Sequence, residues 1–300
     1  MNAIIYEIGF AGRIRIDAHS LNNEGTVGNV TEPRTIILAN GEKTDGISGE
    51  MLKHIHTEAL WQIAKDKKAK LCTACEKLSP MKAEGNESVG KIKEAKPALD
   101  EALKCTICDV HGFLVQKPTI NRKSTVEFGW ALALPNRFYR DIHVHTRVAA
   151  GEKGREKGEE GVTEQMIYNR PTRSGTYAFV SVFQPWRIGL NEIDYTYTID
   201  DKTRKERYEL VLDAYKAMMS RLEGAMTTTR LPHFEDFEGL IVKTKNAAPV
   251  PVISPLTDGY AQQIETMVGT QNIQKFNSFA SMLQETDKLK TASPYKLGAS

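Results

Sequence analysis

The sequence has few of the features that mark a membrane protein, a disulfide-rich protein or a strongly basic nucleic-acid binder. No apolar run among its 300 residues reaches membrane-spanning length, and the N-terminus lacks a charged segment followed by a cleavable apolar stretch. Its 40 Lys and Arg residues nearly balance 38 Asp and Glu residues. Bulk charge therefore does not indicate nucleic acid, and any such site has to come from local clustering. We expect a cytoplasmic protein with no membrane partner.

Cysteine is also scarce, and its four copies form two Cys-x-x-Cys pairs, Cys72 with Cys75 and Cys105 with Cys108. In a cytosolic chain, this spacing favours a metal over structural disulfides. Four thiolates form the tetrahedral ligand set of a structural zinc site, which has no open position for water. We therefore expect a Zn²⁺ ion that stabilises this segment and catalyses nothing. His111 is a substitute ligand, and four unligated thiols are the alternative interpretation.

The first strand-like segment, residues 3–17, has large apolar residues at alternate positions, and small, acidic and basic residues lie between them. This period predicts a half-buried strand. The residues between the apolar positions include Arg13 and Arg15, so the pattern predicts that one sheet face is open and basic. RNA-recognition folds bind RNA on such a face. The alternative is an ordinary strand whose arginines are solvated.

A helix is predicted from Ser48, which is a typical N-cap residue ahead of apolar residues at helical spacing. Lys53 and His54 lie just inside this helix end. The first backbone N–H groups of a helix attract anions, so a phosphate could bind here. A plain cap beside a solvated lysine is the alternative.

A later alternating segment places His143, His145 and Arg147 on one strand edge. A His-x-His pair on a strand can bind a metal, and two histidines can also serve acid–base cleavage of RNA. Neither chemistry has a third partner in the sequence. Contact with a nucleic-acid backbone, or simple solvation, is therefore preferred.

The order of predicted elements is strand, helix, insertion, strand, strand, helix, strand. This is the βαββαβ order of an α+β protein with a modified ferredoxin-like or RRM core and large insertions. We assign residues 1–64 and 124–255 to the core, 65–123 to an inserted subdomain with the cysteine pairs, and 256–300 to a C-terminal tail. The second helix is predicted to begin with a capping box of Thr203 and Glu206. The glycine-spaced segment 151–161 predicts a mobile loop.

Several short motifs, in this order, carry a resemblance to a known family. They are SLNN at 20–23, VGN at 27–29, ISGEMLKH at 47–54, VHGFL at 110–114, RKS at 122–124, LP at 134–135, HTR at 145–147 and QMIYNR at 165–170. With them, most of residues 3–255 resemble the DevR-type backbone subunit of Cascade, the type I CRISPR effector complex. This family belongs to the RAMP superfamily.

The resemblance implies a binding protein and no enzyme. Copies in that family stack into a helical filament along the CRISPR guide RNA (crRNA), and a thumb-like hairpin interrupts the guide–target duplex. The implied partners are crRNA, target DNA through the guide, further copies of the chain and other Cascade subunits. Base pairing reads the sequence, so the protein needs only charge and shape. By position, the implied RNA contacts are Asn22, Asn23, Ser48, Lys53, His54, Arg122, Lys123, His145, Arg147, Arg170 and Arg173.

Two other functions are consistent with parts of the sequence. A RAMP endoribonuclease that processes CRISPR repeat RNA would need an acid–base pair, for which His143 and His145 are the clustered candidates. A zinc-containing protein adaptor would need no basic sheet. The cysteine pairs are not general to the DevR-type family, so the zinc prediction depends on spacing alone.

Overall fold

A computed structural model describes residues 3–148, 165–224 and 226–298, and within them strands and helices alternate in a mixed α+β arrangement. The predicted loop at 151–161 lies outside these residues. No helix in the described ranges is long and apolar enough to cross a membrane. The strands are β1 Ile4–Ile5, β2 Glu7–His19, β3 Asn23–Val27, β4 Val30–Pro33, β5 Thr35–Ile37, β6 Lys43–Ile47, β7 Phe113–Val115, β8 Ile120–Arg122, β9 Val126–Phe128, β10 Ala131–Val148, β11 Gln165–Phe183, β12 Leu190–Asn191, β13 Thr196–Tyr197, β14 His233–Thr244, β15 Ile273–Phe276 and β16 Ser293–Pro294. The α-helices are α1 Gly49–Asp66, α2 Thr73–Glu76, α3 Glu87–Gly90, α4 Ala95–Leu103, α5 Thr106–His111, α6 Asp201–Ser220, α7 Tyr260–Val268 and α8 Phe279–Leu289.

Strand β2 lies in the middle of the main sheet, whose strand order is β15–β14–β2–β11–β10–β6–β5. Both neighbours of β2 run antiparallel to it. Ile14 is paired with Tyr177 on one side and with Phe237 on the other. The segment predicted to be a strand is therefore a central strand, paired with a neighbour on each edge.

One face of the sheet is covered by helices α1 and α6. The β2 residues Ile8, Phe10, Ile14 and Ile16 are buried in the same hydrophobic cluster as the apolar residues of both helices. The ring of Phe10 stacks on that of Tyr215, with centroids 4.5 Å apart. Each such side chain stabilises the fold by about 1.5–3 kcal/mol when it leaves water.

The opposite face of β2 is predicted to be open and basic, and this prediction is wrong from Gly9 to Arg13, whereas Arg15 is exposed and forms an ion pair with Glu235. A second hydrophobic cluster of Ala11, Leu240, Val242, Val250, Tyr260 and Ile264 covers the first part of that face. A Cβ atom on Gly9 would lie 3.1 Å from the Val250 side chain, so the covering segment contacts the backbone closely. Arg13 donates from Nη2 to Asp258 Oδ1 at 2.6 Å. The chain itself therefore occupies the surface that an RNA-recognition fold leaves free.

The predicted C-terminal tail is part of this architecture. Strand β15 extends the sheet edge by pairing with β14, and α7 belongs to the second hydrophobic cluster. On the other side, Met282 and Leu289 of α8 are buried with α6 in the first cluster. Residues 256–298 therefore complete both layers of the fold.

Two local predictions also need correction. Helix α6 is capped by Asp200 and not by the predicted Thr203, because the Asp200 side chain accepts a hydrogen bond from the Thr203 backbone N–H.

The alternation predicted through 124–135 breaks after Phe128. Phe128 is paired with Ser181 and Leu132 with Ala178, so three residues on one strand face two on the other. This bulge turns Ala131 and Ala133 into the core.

Residues 65–123 form a helical insertion with one small hairpin, and its buried residues belong to the same hydrophobic cluster as the sheet. A buried carboxylate fastens it to the core. Asp109 accepts from Arg122 Nη2 at 2.8 Å and from Arg207 Nη1 of α6 at 2.6 Å. The backbone N–H of Gly189 also donates to both oxygens of this carboxylate. The insertion is therefore fixed to two separate parts of the core.

Strands β10 and β11 continue past the sheet as a two-stranded arm. Their pairing resumes at Phe138 with Gly175, after a register shift, and runs to Val148 with Gln165. Ile142, Val144 and Ile167 are exposed on one face of the arm. The opposite face carries His143, His145 and their paired residues, because side chains of directly paired residues share a face.

The covering segment of the sheet can be tested at Ile264, which is fully buried. We expect Ile264→Ala to lower the free energy of unfolding by about 2–5 kcal/mol, because the substitution leaves a cavity between α7 and the sheet. The matched control is the neighbouring exposed residue, and Gln263→Ala should change stability by no more than about 0.5 kcal/mol. Urea unfolding measures both. Equal stability of the two variants would contradict the covered face.

Candidate functional site

The entry of helix α1 is built by side chains from two segments. Ser48 is the N-cap, and its Oγ accepts a hydrogen bond from the Met51 N–H. The Ser48 N–H in turn donates to Oδ1 of Asn22, which has a positive φ of 56°. The predicted cap is therefore confirmed. The loop after β2 is fixed directly against the start of the helix.

A groove runs along the first half of α1, between this helix and the insertion. It consists of two adjoining cavities of about 620 and 530 Å³. Lys53 and Lys82 line both cavities, Lys123 lines the larger one, and His54 lines the smaller one. Glu50 lines both as well. We call this feature the lysine groove.

Three glutamates, Glu50, Glu58 and Glu127, line the lysine groove with its three lysines, but the groups are only partly paired. Lys123 forms an ion pair with Glu127, and His54 Nε2 lies 3.2 Å from Glu58 Oε1. Among the described residues, Lys53 and Lys82 have no carboxylate oxygen within 4.0 Å. Burial lowers the pKa of Lys53. Burial, and then the charge of Lys53, lowers the pKa of Lys82. An anion placed between these two ammonium groups would offset both effects.

The polar face of the arm presents a second cationic and aromatic surface. The rings of His145 and Tyr168 are stacked with centroids 5.4 Å apart, and the Arg170 guanidinium lies 4.6 Å from the Tyr168 centroid. Arg230 Nη2 contacts His145 Nε2 at 2.6 Å. Burial and the charges of Arg230 and Arg170 lower the pKa of His145. A neutral imidazole on an aromatic ring is suited to stacking against a base.

The four cysteines converge between α2 and α5. All four Sγ atoms lie within 4.8 Å of one another. Sγ of Cys108 is 3.6 Å from that of Cys75 and 3.9 Å from that of Cys72. Cys72 is partly exposed and the other three are buried. These separations are too long for disulfide bonds and suit four ligands around one metal ion.

A comparison with family models decides the relationship that the motifs suggest. The model described as "CRISPR-associated negative auto-regulator DevR/Csa2" matches residues 10–265. This chain belongs to the DevR/Csa2 family.

Curated relatives agree with membership of the DevR/Csa2 family, and a solved structure shares the fold. A Methanocaldococcus jannaschii protein described as "CRISPR-associated protein Cas7/Cst2/DevR" is 27% identical over 271 residues, which cover 81% of this chain and 82% of the relative. A Thermoproteus tenax protein with the same description is 23% identical over 86% of this chain and 80% of its own length. A chain of a "CRISPR RNA-guided surveillance complex, pre-nicking" has the same fold, with a TM-score of 0.52 and 11% identity over 97% of this chain and 96% of its own.

The structure of this DevR/Csa2 family member separates the predicted site residues into two groups. Asn22, Ser48, Lys53, His54 and Lys123 lie around the entry of α1. Asn23 is next to this group, where its Nδ2 donates to the Ser20 carbonyl. His145 and Arg170 lie on the polar face of the arm, and Arg147 is paired with Met166 near the arm's end.

Two predicted RNA contacts are corrected, because their side chains lie inside the protein. Arg122 is 3% exposed and is held by Asp109 and by the Leu190 and Arg187 carbonyls. Arg173 is 1% exposed and donates to Asp45 Oδ2 at 2.8 Å. Both guanidinium groups anchor structural carboxylates. Neither is available to a phosphate on the surface.

The histidines named in the sequence analysis have other partners. His111 is not part of the cysteine cluster, because its Nε2 lies 3.0 Å from Nδ1 of His56, and both rings are buried. His143 is exposed and lies 3.9 Å from Asp141, whereas His145 contacts Arg230. The His143 and His145 rings are therefore separately engaged.

Three residues at these surfaces are absent from the sequence predictions: Lys82, Tyr168 and Arg230. Lys82 lies in a polar stretch with few apolar anchors, so its position in the groove depends on how the insertion folds. Arg230 comes from a loop 85 residues from its contact, His145. Tyr168 falls within the QMIYNR motif, and the strand period could have placed it beside His145 once the pairing was known.

The buried histidine pair predicts an acid-sensitive fold. Burial lowers the pKa of His56 to about 3, whereas an unfolded histidine titrates near 6.5. The unfolded state therefore binds more protons between these values, and stability falls as the pH drops below about 6.5. We expect this residue to account for a loss of about 2–3 kcal/mol at pH 4.5 relative to pH 7.5.

His56→Gln tests this linkage, because glutamine keeps a polar side chain that does not titrate. Urea unfolding at pH 7.5, 5.5 and 4.5 should give a shallower pH dependence for the variant than for the unaltered protein. Any acid-induced metal release acts on both proteins and cancels in the comparison. Parallel stability curves would show that His56 contributes nothing to the pH dependence.

Proposed function

We propose that this DevR/Csa2 family member is a crRNA-binding backbone subunit of a type I Cascade complex, without catalytic activity of its own. In this proposal, copies of the chain oligomerise along one guide RNA, contact other Cascade subunits and support recognition of target DNA through the guide. The observation that carries the proposal is the lysine groove, with two unpaired, partly buried lysines at the entry of α1. Family membership and the fold shared with a surveillance-complex chain support it.

The covered face of the sheet favours an RNA path away from the strands. Residues 250–264 occupy much of the face on which RNA-recognition domains stack bases, which supports a guide path along the groove and the arm. The groove offers ammonium groups and the N-terminus of an 18-residue helix. The arm offers the stacked His145 and Tyr168 rings. Phosphate contacts at the groove and stacking at the arm together fit an RNA held without sequence readout.

We also propose that the core is a modified ferredoxin-like fold. The strands β14, β2, β11 and β10 are adjacent in this order, and α1 and α6 connect them on one face. Counted along the chain, these are the fourth, first, third and second core strands. This is the antiparallel order that a βαββαβ chain adopts. The insertion and the covering segment are additions to that core.

The metal in the cysteine cluster is proposed to be a structural Zn²⁺. Zn–S bonds of about 2.3 Å in a tetrahedron give sulfur–sulfur edges of roughly 3.8 Å. The observed separations of 3.6 and 3.9 Å agree with that edge. With four protein ligands the ion would join α2 to α5 and leave no site for a substrate.

Elemental analysis should find about one zinc per chain. Cys105→Ser should release the zinc and make residues 65–123 sensitive to protease, while the main sheet stays folded. Limited proteolysis measures the sensitivity of residues 65–123, and far-UV circular dichroism shows whether the main sheet stays folded. Ser79→Ala is a control in the same insertion. Metal-free protein with an unchanged proteolysis pattern would sink the assignment.

RNA binding can be tested at one residue from each surface. Lys53→Gln and Arg170→Gln should each weaken binding of unrelated single-stranded RNAs by about tenfold, because each removes a charge-assisted contact. Each loss of a phosphate contact should also reduce the slope of log affinity against log salt by roughly 0.7. Filter binding across a range of salt concentrations measures both quantities.

Lys202→Gln is the control, since this exposed lysine lies outside both surfaces. The control should leave affinity and slope unchanged. If Lys53→Gln and Arg170→Gln behave like the control, RNA does not follow the groove and the arm. Specific cleavage of repeat RNA that disappears in His145→Ala would instead favour the endoribonuclease.

A further inference from the structure

We infer that the cysteine-bearing insertion completes the guide-binding groove by supplying Lys82, which forms a phosphate-binding clamp with Lys53, and that metal at the cysteines controls RNA affinity through this lysine. This inference rests on the proposed RNA-binding function and deepens it. It assigns a binding role to Lys82 and a supporting role to the cysteine cluster, neither of which is among the predicted RNA contacts.

Lys82 and Lys53 reach the groove from opposite walls. Lys53 projects from α1 of the core, and Lys82 from the short 3₁₀ helix Lys82–Gly85 of the insertion. Both line the two adjoining cavities, and the charge of Lys53 contributes to the lowered pKa of Lys82. The two ammonium groups are therefore near enough to repel each other. A phosphate bridging them would replace this repulsion with two attractive contacts.

The ammonium group of Lys82 is held by the end of α5. Its Nζ donates to the carbonyls of His111 at 3.2 Å and Gly112 at 3.0 Å. These neutral acceptors orient the group, which has no carboxylate partner among the described residues, although the nearby Cys108, Cys75 and Cys105 act to raise its pKa. Gly112 is itself fixed, since a Cβ at this position would lie 2.2 Å from the Arg122 carbonyl. The carbonyls that hold Lys82 therefore lie where the end of α5 packs closely against β8.

The wall behind the clamp contains an unsatisfied polar group. His111 is 1% exposed and lines the larger cavity, and its Nδ1 has no hydrogen-bond partner within the described structure. A buried polar atom without a partner is costly in a purely structural role. Nε2 of His56, the partner of this ring, is likewise buried without a hydrogen-bond partner, so the two histidines form a polar pair behind the wall of the groove.

The cysteine cluster supports Lys82 from two directions. Helix α5 carries Cys105 and Cys108 and ends at the carbonyls that accept from Lys82. Helix α2 carries Cys75 and packs on the 3₁₀ helix of Lys82, where a Cβ on Gly85 would lie 3.1 Å from Ala74 Cβ. A metal ion bound by both cysteine pairs would fix α2 and α5 relative to each other. Loss of the ion should therefore displace Lys82 and leave Lys53 in place.

The test measures binding of a single-stranded RNA of mixed sequence to the full-length protein by filter binding. Lys82→Gln should weaken binding by about tenfold and reduce the salt slope by roughly 0.7, as Lys53→Gln does. Lys82→Arg should stay within about twofold of the unaltered protein because it keeps the cation. Lys93→Gln, an exposed lysine of the insertion outside the groove, should have no effect. Thermal unfolding of each variant establishes that it is folded.

The same assay after removal of the metal with a chelator tests the coupling. Chelation should weaken RNA binding of the unaltered protein by about tenfold and should weaken that of Lys82→Gln by less than twofold. If both proteins lose affinity equally, metal does not act through Lys82 and the coupling is overturned. If Lys53→Gln weakens binding and Lys82→Gln does not, the clamp is overturned and the proposed function stands. No RNA binding by the unaltered protein would overturn the proposed function itself.

Discussion

The buried carboxylate of Asp109 is the interaction on which the arrangement of this protein depends. It receives the guanidinium groups of Arg122 and Arg207 and two hydrogen bonds from the Gly189 backbone N–H, all away from solvent. Desolvating these charges offsets much of their attraction, so the cluster contributes more to a unique geometry than to net stability. Its donors come from the insertion, from α6 and from the loop before β12. Moving the insertion would separate Asp109 from the donors of α6 and of this loop.

The position of the insertion in turn determines the candidate binding surface. Asp109 lies in α5, and this helix also carries the second cysteine pair and ends against the lysine groove. One face of this six-residue helix thus contacts the core, one contributes to the cysteine cluster and one borders the groove. An insertion attached only by its ends would leave the groove with a single wall. Arg122 and the cysteines therefore contribute to the candidate binding surface indirectly, by fixing the position of the insertion.

Local features of the fold are predictable from the sequence because their causes lie within a few residues. Ser48 caps α1 as expected, and the Cys-x-x-Cys spacing identifies the cysteine cluster. The order of strands and helices predicts the α+β class.

The predictions are wrong for residues whose environment depends on partners that are distant in the sequence. Arg122 and Arg173 are predicted to be surface cations, but they are buried in ion pairs with Asp109 and Asp45. The prediction of an open sheet face is wrong for the same reason, since the residues that cover β2, among them Val250 and Ile264, lie more than two hundred positions later in the chain.

The two faces of the arm differ in polarity because successive side chains of each strand point to opposite faces. The apolar face presents Ile142, Val144 and Ile167, and the other face presents His145 and Tyr168. The register shift between Ala133 and Phe138 decides which set faces which way. Inserting or deleting one residue there would turn the β10 side chains of the arm to the opposite face and leave those of β11 in place, whereas a change of two residues would preserve both faces. The length of this short segment can therefore drift during evolution only in steps of two if the polarity of the arm is to be kept.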